Sequence, residues 1–218
     1  LVCSAYKADG TGKLIIDGVE YRQTTGGVVV FKDGVYEVAN AAEFLNVAKF
    51  VEDGQTIKLT DNVTFDKNNR TLNSGTYYDG LYYIGDKSFT IDLNGKTINQ
   101  DGAVNDYLLN FKNDGSKANT ITLKNGTINA GTAAYCALAT SSSNAQKITI
   151  NTENITFVNN NSNGAVLKIR GGNELNVKAG TNIEGKDRYV GIDPERNTTV
   201  VITYDGAHIY QTGTSGCV

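Results

Sequence analysis

The sequence predicts an all-β chain folded as a right-handed parallel β-helix: a solenoid of about five to six coils behind an N-terminal capping α-helix and a short β-rich leader. Three observations predict it. Short period-2 apolar segments recur about every 27 residues, Gly and Asn abound while Pro occurs once, and one amphipathic helix directly precedes the first repeat.

Taken in chain order, residues 1–38 read as the leader. Its apolar runs Leu14-Ile15-Ile16-Asp17-Gly18-Val19-Glu20-Tyr21 and Val28-Val29-Val30-Phe31-Lys32-Asp33-Gly34-Val35-Tyr36 predict two or three strands packed on the cap. Residues 39–55 hold the helix. Asn40 is its N-cap with Glu43 as capping-box partner, Phe44, Val47, Ala48 and Val51 form one apolar stripe, and Gly54 ends it. The solenoid occupies residues 56–210, and 211–218 form a tail.

The repeat is apolar, any, apolar, then an Asn/Gly/Asp turn and a further apolar residue. Its copies are Ile57-Lys58-Leu59 with Val63, Ile91-Asp92-Leu93 with Ile98, Ile121-Thr122-Leu123 with Ile128, Ile148-Thr149-Ile150 with Ile155, Leu175-Asn176-Val177 with Ile183, and Val200-Val201-Ile202 with Ile209. Successive copies start 34, 30, 27, 27 and 25 residues apart. A third apolar segment precedes each later copy: 81–84, 107–111, 135–138, 165–169 and 188–192. Three strands per period are therefore implied. A leucine-rich repeat would need its own framework in every unit, and an antiparallel sandwich would not repeat one three-strand unit with the same turn chemistry.

The 24 glycines and 25 asparagines of the 218 residues suit a coil that turns three times per period. The single Pro194 fits the same coil, because proline would remove a ladder donor. A net charge of −3 without a Lys/Arg cluster argues against nucleic-acid binding, and no run reaches 18 apolar residues, so no membrane insertion is expected. The chain opens on Leu1 and has no Met, which predicts a segment excised from a longer precursor. Cys3 and Cys217 lie near the two ends, where a disulfide between them and links to neighbouring modules are both open readings, while Cys136 in its apolar run reads as a small buried hydrophobe. Three cysteines without a CxxC and one histidine supply no zinc site, and no metal or cofactor is expected.

The run from Ala41-Ala42-Glu43-Phe44-Leu45 through Asp53-Gly54-Gln55-Thr56-Ile57-Lys58-Leu59, followed by Phe89-Thr90-Ile91-Asp92-Leu93-Asn94-Gly95-Lys96-Thr97-Ile98, resembles the opening of pectin lyase-like right-handed β-helix proteins. That group is common among bacterial surface proteins and carbohydrate-active enzymes. The resemblance covers about residues 39–210 and carries fold better than function.

A polysaccharide lyase of that kind implies clustered carboxylates for calcium and an Arg or Lys base. Asp92, Arg170, Asp187, Arg188, Asp193 and Glu195 occur singly, and the positions read as equivalent to Asp92 are Lys58, Thr122, Thr149, Asn176 and Val201, so no acidic column forms. The polygalacturonase-type motifs are missing as well; Lys168-Ile169-Arg170 matches one only superficially, and His208 reads as a surface or capping residue. No catalytic residue is therefore assigned. The sequons at Asn62, Asn69, Asn125, Asn154, Asn160 and Asn197 are what a solenoid rich in Asn and Thr corners produces, and 159–164 reads as a corner loop.

The strongest local anomaly is aromatic. Gly75-Thr76-Tyr77-Tyr78-Asp79-Gly80-Leu81-Tyr82-Tyr83 places four of 12 tyrosines within seven residues, inside the longest inter-repeat insertion. Leu81 and Tyr83 are expected in the core, leaving Tyr77, Tyr78 and Tyr82 as a candidate ligand-binding surface. The expectation is a non-catalytic, adhesin-like module of a secreted or cell-surface bacterial protein that binds a host glycan or a host protein such as an immunoglobulin. The alternatives are a carbohydrate-active enzyme and a structural stalk repeat.

Overall fold

A computed structural model describes residues 9–101, 107–132, 135–161, 164–170, 172–186, 192–194, 201–206 and 208–212. The chain begins with four antiparallel strands in a meander: β1 (Asp9–Ile16), β2 (Val19–Thr24), β3 (Gly27–Lys32) and β4 (Val35–Val38). This is more than the two or three strands expected. The additional strand arises from two Asp-Gly turns, Asp17-Gly18 and Asp33-Gly34, whose φ values of 50° and 79°, and 51° and 81°, give the paired left-handed residues of a tight hairpin. The fourth strand then pairs in parallel with the first strand of the coil, Tyr36 opposite Ile57 and Val38 opposite Leu59, so the leader is continuous with the solenoid's first sheet.

Between them runs α1 (Ala41–Phe50). The Asn40 side chain accepts the Glu43 N–H at 3.0 Å, as the capping pattern predicts, while the Glu43 carboxylate reaches back to the Ala39 N–H at 2.7 Å. Gly54 lies beyond the helix end rather than at it, because Val51 already takes an extended conformation as C-cap. The stripe of Phe44, Val47, Ala48 and Val51 is buried as expected. With it the helix packs on strands from all three faces of the first coil, and Phe44 sets its ring edge-on to Phe65 at 5.9 Å. It thereby closes the apolar end of the core, as a solenoid terminus requires.

The coil runs through β5 (Thr56–Leu59), β6 (Val63–Phe65), the hairpin β7 (Thr71–Asn73) and β8 (Thr76–Tyr78), and β9 (Leu81–Ile84). It continues with β10 (Phe89–Asp92), β11 (Thr97–Gln100) and β12 (Tyr107–Lys112), then β13 (Asn119–Asn129) and β14 (Cys136–Thr140). The last stretch holds β15 (Ile148–Asn159), β16 (Leu167–Ile169), β17 (Glu174–Val177), β18 (Asn182–Lys186), β19 (Ile192–Pro194), β20 (Val201–Tyr204) and β21 (His208–Thr212). The long β13 and β15 each bend once and serve both the first and the second face. All pairings within the coil are parallel apart from the β7–β8 hairpin, which makes the fold a β-solenoid.

Complete turns number about three, fewer than the five to six expected. The turns that start at β10, β13 and β15 have a parallel partner on both sides along every face. The flanking turns are partial: among the described residues β6, β9 and β19 are paired on one side only.

The register also corrects one expectation. Ile91 faces Leu123 rather than Ile121, and Ile121 faces Ile150 rather than Ile148. The cause lies at the corner. The second turn bends through two left-handed residues, Asn94 and Gly95, whereas Asn125 alone and Asn154 alone bend the next two. The aligned positions Ile91 and Ile98 are seven residues apart whereas Leu123 and Ile128 are five apart, so the shorter corner slides the strand by two and each side chain keeps its face. Asp92 consequently stands between Lys58 and Lys124, not beside Thr122, and an outward column Glu37–Lys58–Asp92–Lys124–Glu153 alternates in sign.

At another corner, asparagines act through their side chains. Asn144 Oδ1 accepts the Asn113 N–H at 3.0 Å, and Asn144 Nδ2 donates to Asn173 Oδ1 at 3.2 Å. Asn173, fully buried, also accepts the Ile148 N–H at 2.9 Å and donates to Thr140 Oγ1 and the Arg170 carbonyl. This stacked ladder satisfies backbone groups that the turns remove from the sheets.

Candidate functional site

The tyrosine-rich insertion begins with Asp66, whose carboxylate accepts the N–H groups of Asn68 at 2.8 Å and Asn69 at 2.9 Å, bonds that hold its pKa below the ordinary value although partial burial opposes them. Ser74 and Gly75, with φ of 49° and 81°, then close the β7–β8 hairpin, pairing Leu72 with Tyr77. Alternation along β8 sends Tyr77 and Tyr78 to opposite sides. Tyr77 is 54% exposed beside the exposed Leu72, with the Arg70 guanidinium 5.0 Å from its ring. Arg70 Nε also lies 3.2 Å from the buried Asp79 carboxylate, which ties the hairpin base to β9.

Tyr78 instead stacks on Tyr82, with ring centroids 4.7 Å apart and planes 14° from parallel. Of the three candidate tyrosines the structure therefore unites Tyr78 and Tyr82 and separates Tyr77. Leu81 and Tyr83 fill the core as expected; Tyr83 meets Phe89 at 5.0 Å, its hydroxyl accepts the Lys87 N–H at 3.1 Å, and burial raises its pKa.

A cleft of about 350 Å³ opens between α1, β7 and β9. Leu45, Ala48, Leu72, Tyr82 and Ile84 supply apolar walls, and Lys49, Glu52, Asn73, Asp86 and Lys87 supply polar ones. Lys87 Nζ is 2.7 Å from the Glu52 carboxylate, and that hydrogen bond raises the lysine pKa. Tyr82 belongs both to this cleft and to the stack on Tyr78. The cleft thus combines concavity, apolar area and a few polar groups.

The third face carries a second aromatic cluster that the sequence reading did not single out. Its sheet order is β9, β12, β14, β16, β19, and between inward Leu109 and Phe111 the residue Asn110 faces outward beside Tyr82 and Ala139. Tyr107 and Tyr135 meet edge-on at 6.2 Å. Arg170 lies 5.0 Å above the Tyr107 ring and donates to its hydroxyl, and Lys168 Nζ lies 5.7 Å above Tyr135. The only sequence-level signal for this cluster was a tyrosine at the start of two successive third-face segments.

The remaining singled-out residues find structural places or lie outside the described set. Asp92 accepts from the Asn94 N–H at 2.9 Å and Asn125 Nδ2 at 3.1 Å and lies 3.6 Å from Lys124, which fixes a corner. Asn62 Oδ1 accepts the Thr97 N–H at 2.9 Å. Cys136 is buried on β14. Asp193 stands opposite Lys168 in register and His208 opposite Asn182. Cys3, Asp187, Arg188, Glu195, Asn197 and Cys217 lie outside the described residues. Comparison of the chain with family models, with curated proteins and with solved structures finds no match in any of the three.

Proposed function

We propose that this chain is a non-catalytic, glycan-binding module of an extracellular or cell-surface bacterial protein, of the pectin lyase-like, adhesin type. The observation that carries the reading is the stacked Tyr78–Tyr82 pair at the cleft of about 350 Å³, a volume within the range of small-ligand sites. A tyrosine ring offers flat apolar area, a hydroxyl and little rotamer entropy to lose. The polar residues of the cleft, Lys49, Glu52, Asn73, Asp86 and Lys87, are a mixed donor and acceptor set suited to sugar hydroxyls.

The test is a glycan array probed with the wild-type chain and with Tyr82→Ala, alongside reducing-sugar and unsaturated-uronate assays on the same glycans. Expected are binding without turnover and at least a tenfold loss on Tyr82→Ala. Turnover of any glycan, or equal binding by the variant, would contradict the reading.

A further inference from the structure

The outer surface of the third sheet holds a feature the fold does not need. Asn110 is 5% exposed, and its Oδ1 has no hydrogen-bond partner. A buried acceptor left unsatisfied is destabilising, and an apolar residue here would avoid that cost. Its neighbours explain how it is shielded. The contact of Arg170 with Tyr107 joins the residue after β16 to the start of β12, on the two sides of β14. The residues of β14 that alternate with inward Leu138 are Ala137 and Ala139, both fully buried. On its other side Asn110 adjoins Tyr82, which carries Tyr78. Gln100 presents a second unpartnered buried acceptor, Oε1, while its amide donates to the carbonyl of Asp79, the residue after Tyr78.

We infer that this surface is an extended subsite for an uncharged oligosaccharide, running from the Tyr78–Tyr82 stack across Asn110 to the Tyr107–Tyr135 pair. The inference rests on the glycan-binding reading and adds the ligand's charge and length. An unpaired acceptor flanked by rings at both ends calls for a ligand with hydroxyl donors and apolar ring faces. On this face charge selects the neutral class: Arg70 is committed to Asp79, Arg170 to the Tyr107 ring and hydroxyl, and Lys168 stands over the ring of Tyr135. From β9 to β14 is two rungs, about 10 Å at a strand spacing of about 4.8 Å, which exceeds one sugar ring and calls for a short chain.

Calorimetric titration with neutral gluco-, manno- and galacto-configured oligosaccharides of two to six units tests this on wild type, Asn110→Leu and the surface variant Tyr135→Ala, each checked for folding by circular dichroism. Expected is an affinity that rises at least tenfold from disaccharide to hexasaccharide. Asn110→Leu and Tyr135→Ala lose that gain, and Tyr135→Ala, at the far end, keeps the disaccharide affinity of wild type. A disaccharide that binds as tightly as the hexasaccharide, or variants that retain the full gain, overturns the extended subsite and leaves the cleft reading standing. Binding confined to acidic oligosaccharides refutes the neutral class, and absence of binding by every oligosaccharide refutes both readings.

Discussion

Replacing Phe44 by Ala removes the side chain that seals the open end of the coil. Phe44 is fully buried, its ring edge meets Phe65 at 5.9 Å, and its helix touches strands of all three faces of the first turn. A Phe→Ala change at such a site costs about 3–5 kcal/mol, from lost burial together with a cavity that a closed ring of strands is poorly able to collapse. With a urea m-value of about 2–3 kcal/mol/M for a chain of this size, the unfolding midpoint falls by about 1–2 M. Stability in a solenoid is transmitted between adjacent turns, so a loosened cap also lets the first turn fray, and the transition broadens. The assay is urea unfolding followed by far-ultraviolet circular dichroism, with Leu72→Ala as the control. Leu72 is 57% exposed on the hairpin, and its truncation shifts stability by no more than about 0.5 kcal/mol. A midpoint for Phe44→Ala within 0.3 M of wild type would falsify the plug.

Three further outcomes follow from the coil. Asn173→Ala strips the Ile148 N–H of its acceptor and the Arg170 carbonyl of its donor inside the asparagine ladder, and at about 1–3 kcal/mol per orphaned group the melting temperature falls by several degrees; an unchanged melt would show that water replaces the side chain. Gly126→Ala drives a Cβ against the Lys96 carbonyl and to 2.5 Å from Leu93 Cβ at a stacked corner, an overpacking that costs about 1–3 kcal/mol in thermal unfolding, and a neutral effect would contradict the stacking. Asp53, Asp66 and Glu174 have lowered pKa values, from the hydrogen bonds of Lys117, Asn68 and Lys147 respectively. Each therefore binds its proton less readily folded than unfolded, so their stabilisation is present above the ordinary carboxylate range and is lost as the pH falls below about 4. Urea midpoints measured from pH 6 to pH 3 should decline over the lower part of that range, with a smaller decline in Asp66→Asn; a flat profile speaks against these bonds.

Much of the architecture was legible in the residues because each turn repeats the same local rule. Period-2 alternation placed Ile57, Ile91, Ile98 and Ile128 inward, and the third-face segments stack as Leu81, Leu109, Leu138 and Leu167. Asn40 and Glu43 announced the helix because capping is a matter of a few neighbouring atoms. Corner length escaped the reading: the corners at Asn94-Gly95 and at Asn125 look alike in composition, yet the first spans seven residues from Ile91 to Ile98 and the second five from Leu123 to Ile128, which slides the register by two. The tyrosines show the same limit. Their clustering was visible, but whether Tyr77 or Tyr78 faces Tyr82 depends on the Ser74-Gly75 turn that sets the hairpin register. Tyr107, Asn110, Tyr135 and Arg170 are scattered over three coils, and only the stacking of β12, β14 and β16 brings them onto one face.

In the proposed complex Tyr78 and Tyr82, stacked at the capped end of the coil, contact a neutral glycan. The most direct measurement is a carbon–proton correlation spectrum of the tyrosine rings during titration with the neutral hexasaccharides. The Tyr78 and Tyr82 signals are expected to move together and saturate with the bound fraction, while Tyr36, buried between Phe31 and Phe50, stays fixed. Ring signals of Tyr78 and Tyr82 that do not move at saturating hexasaccharide would contradict it.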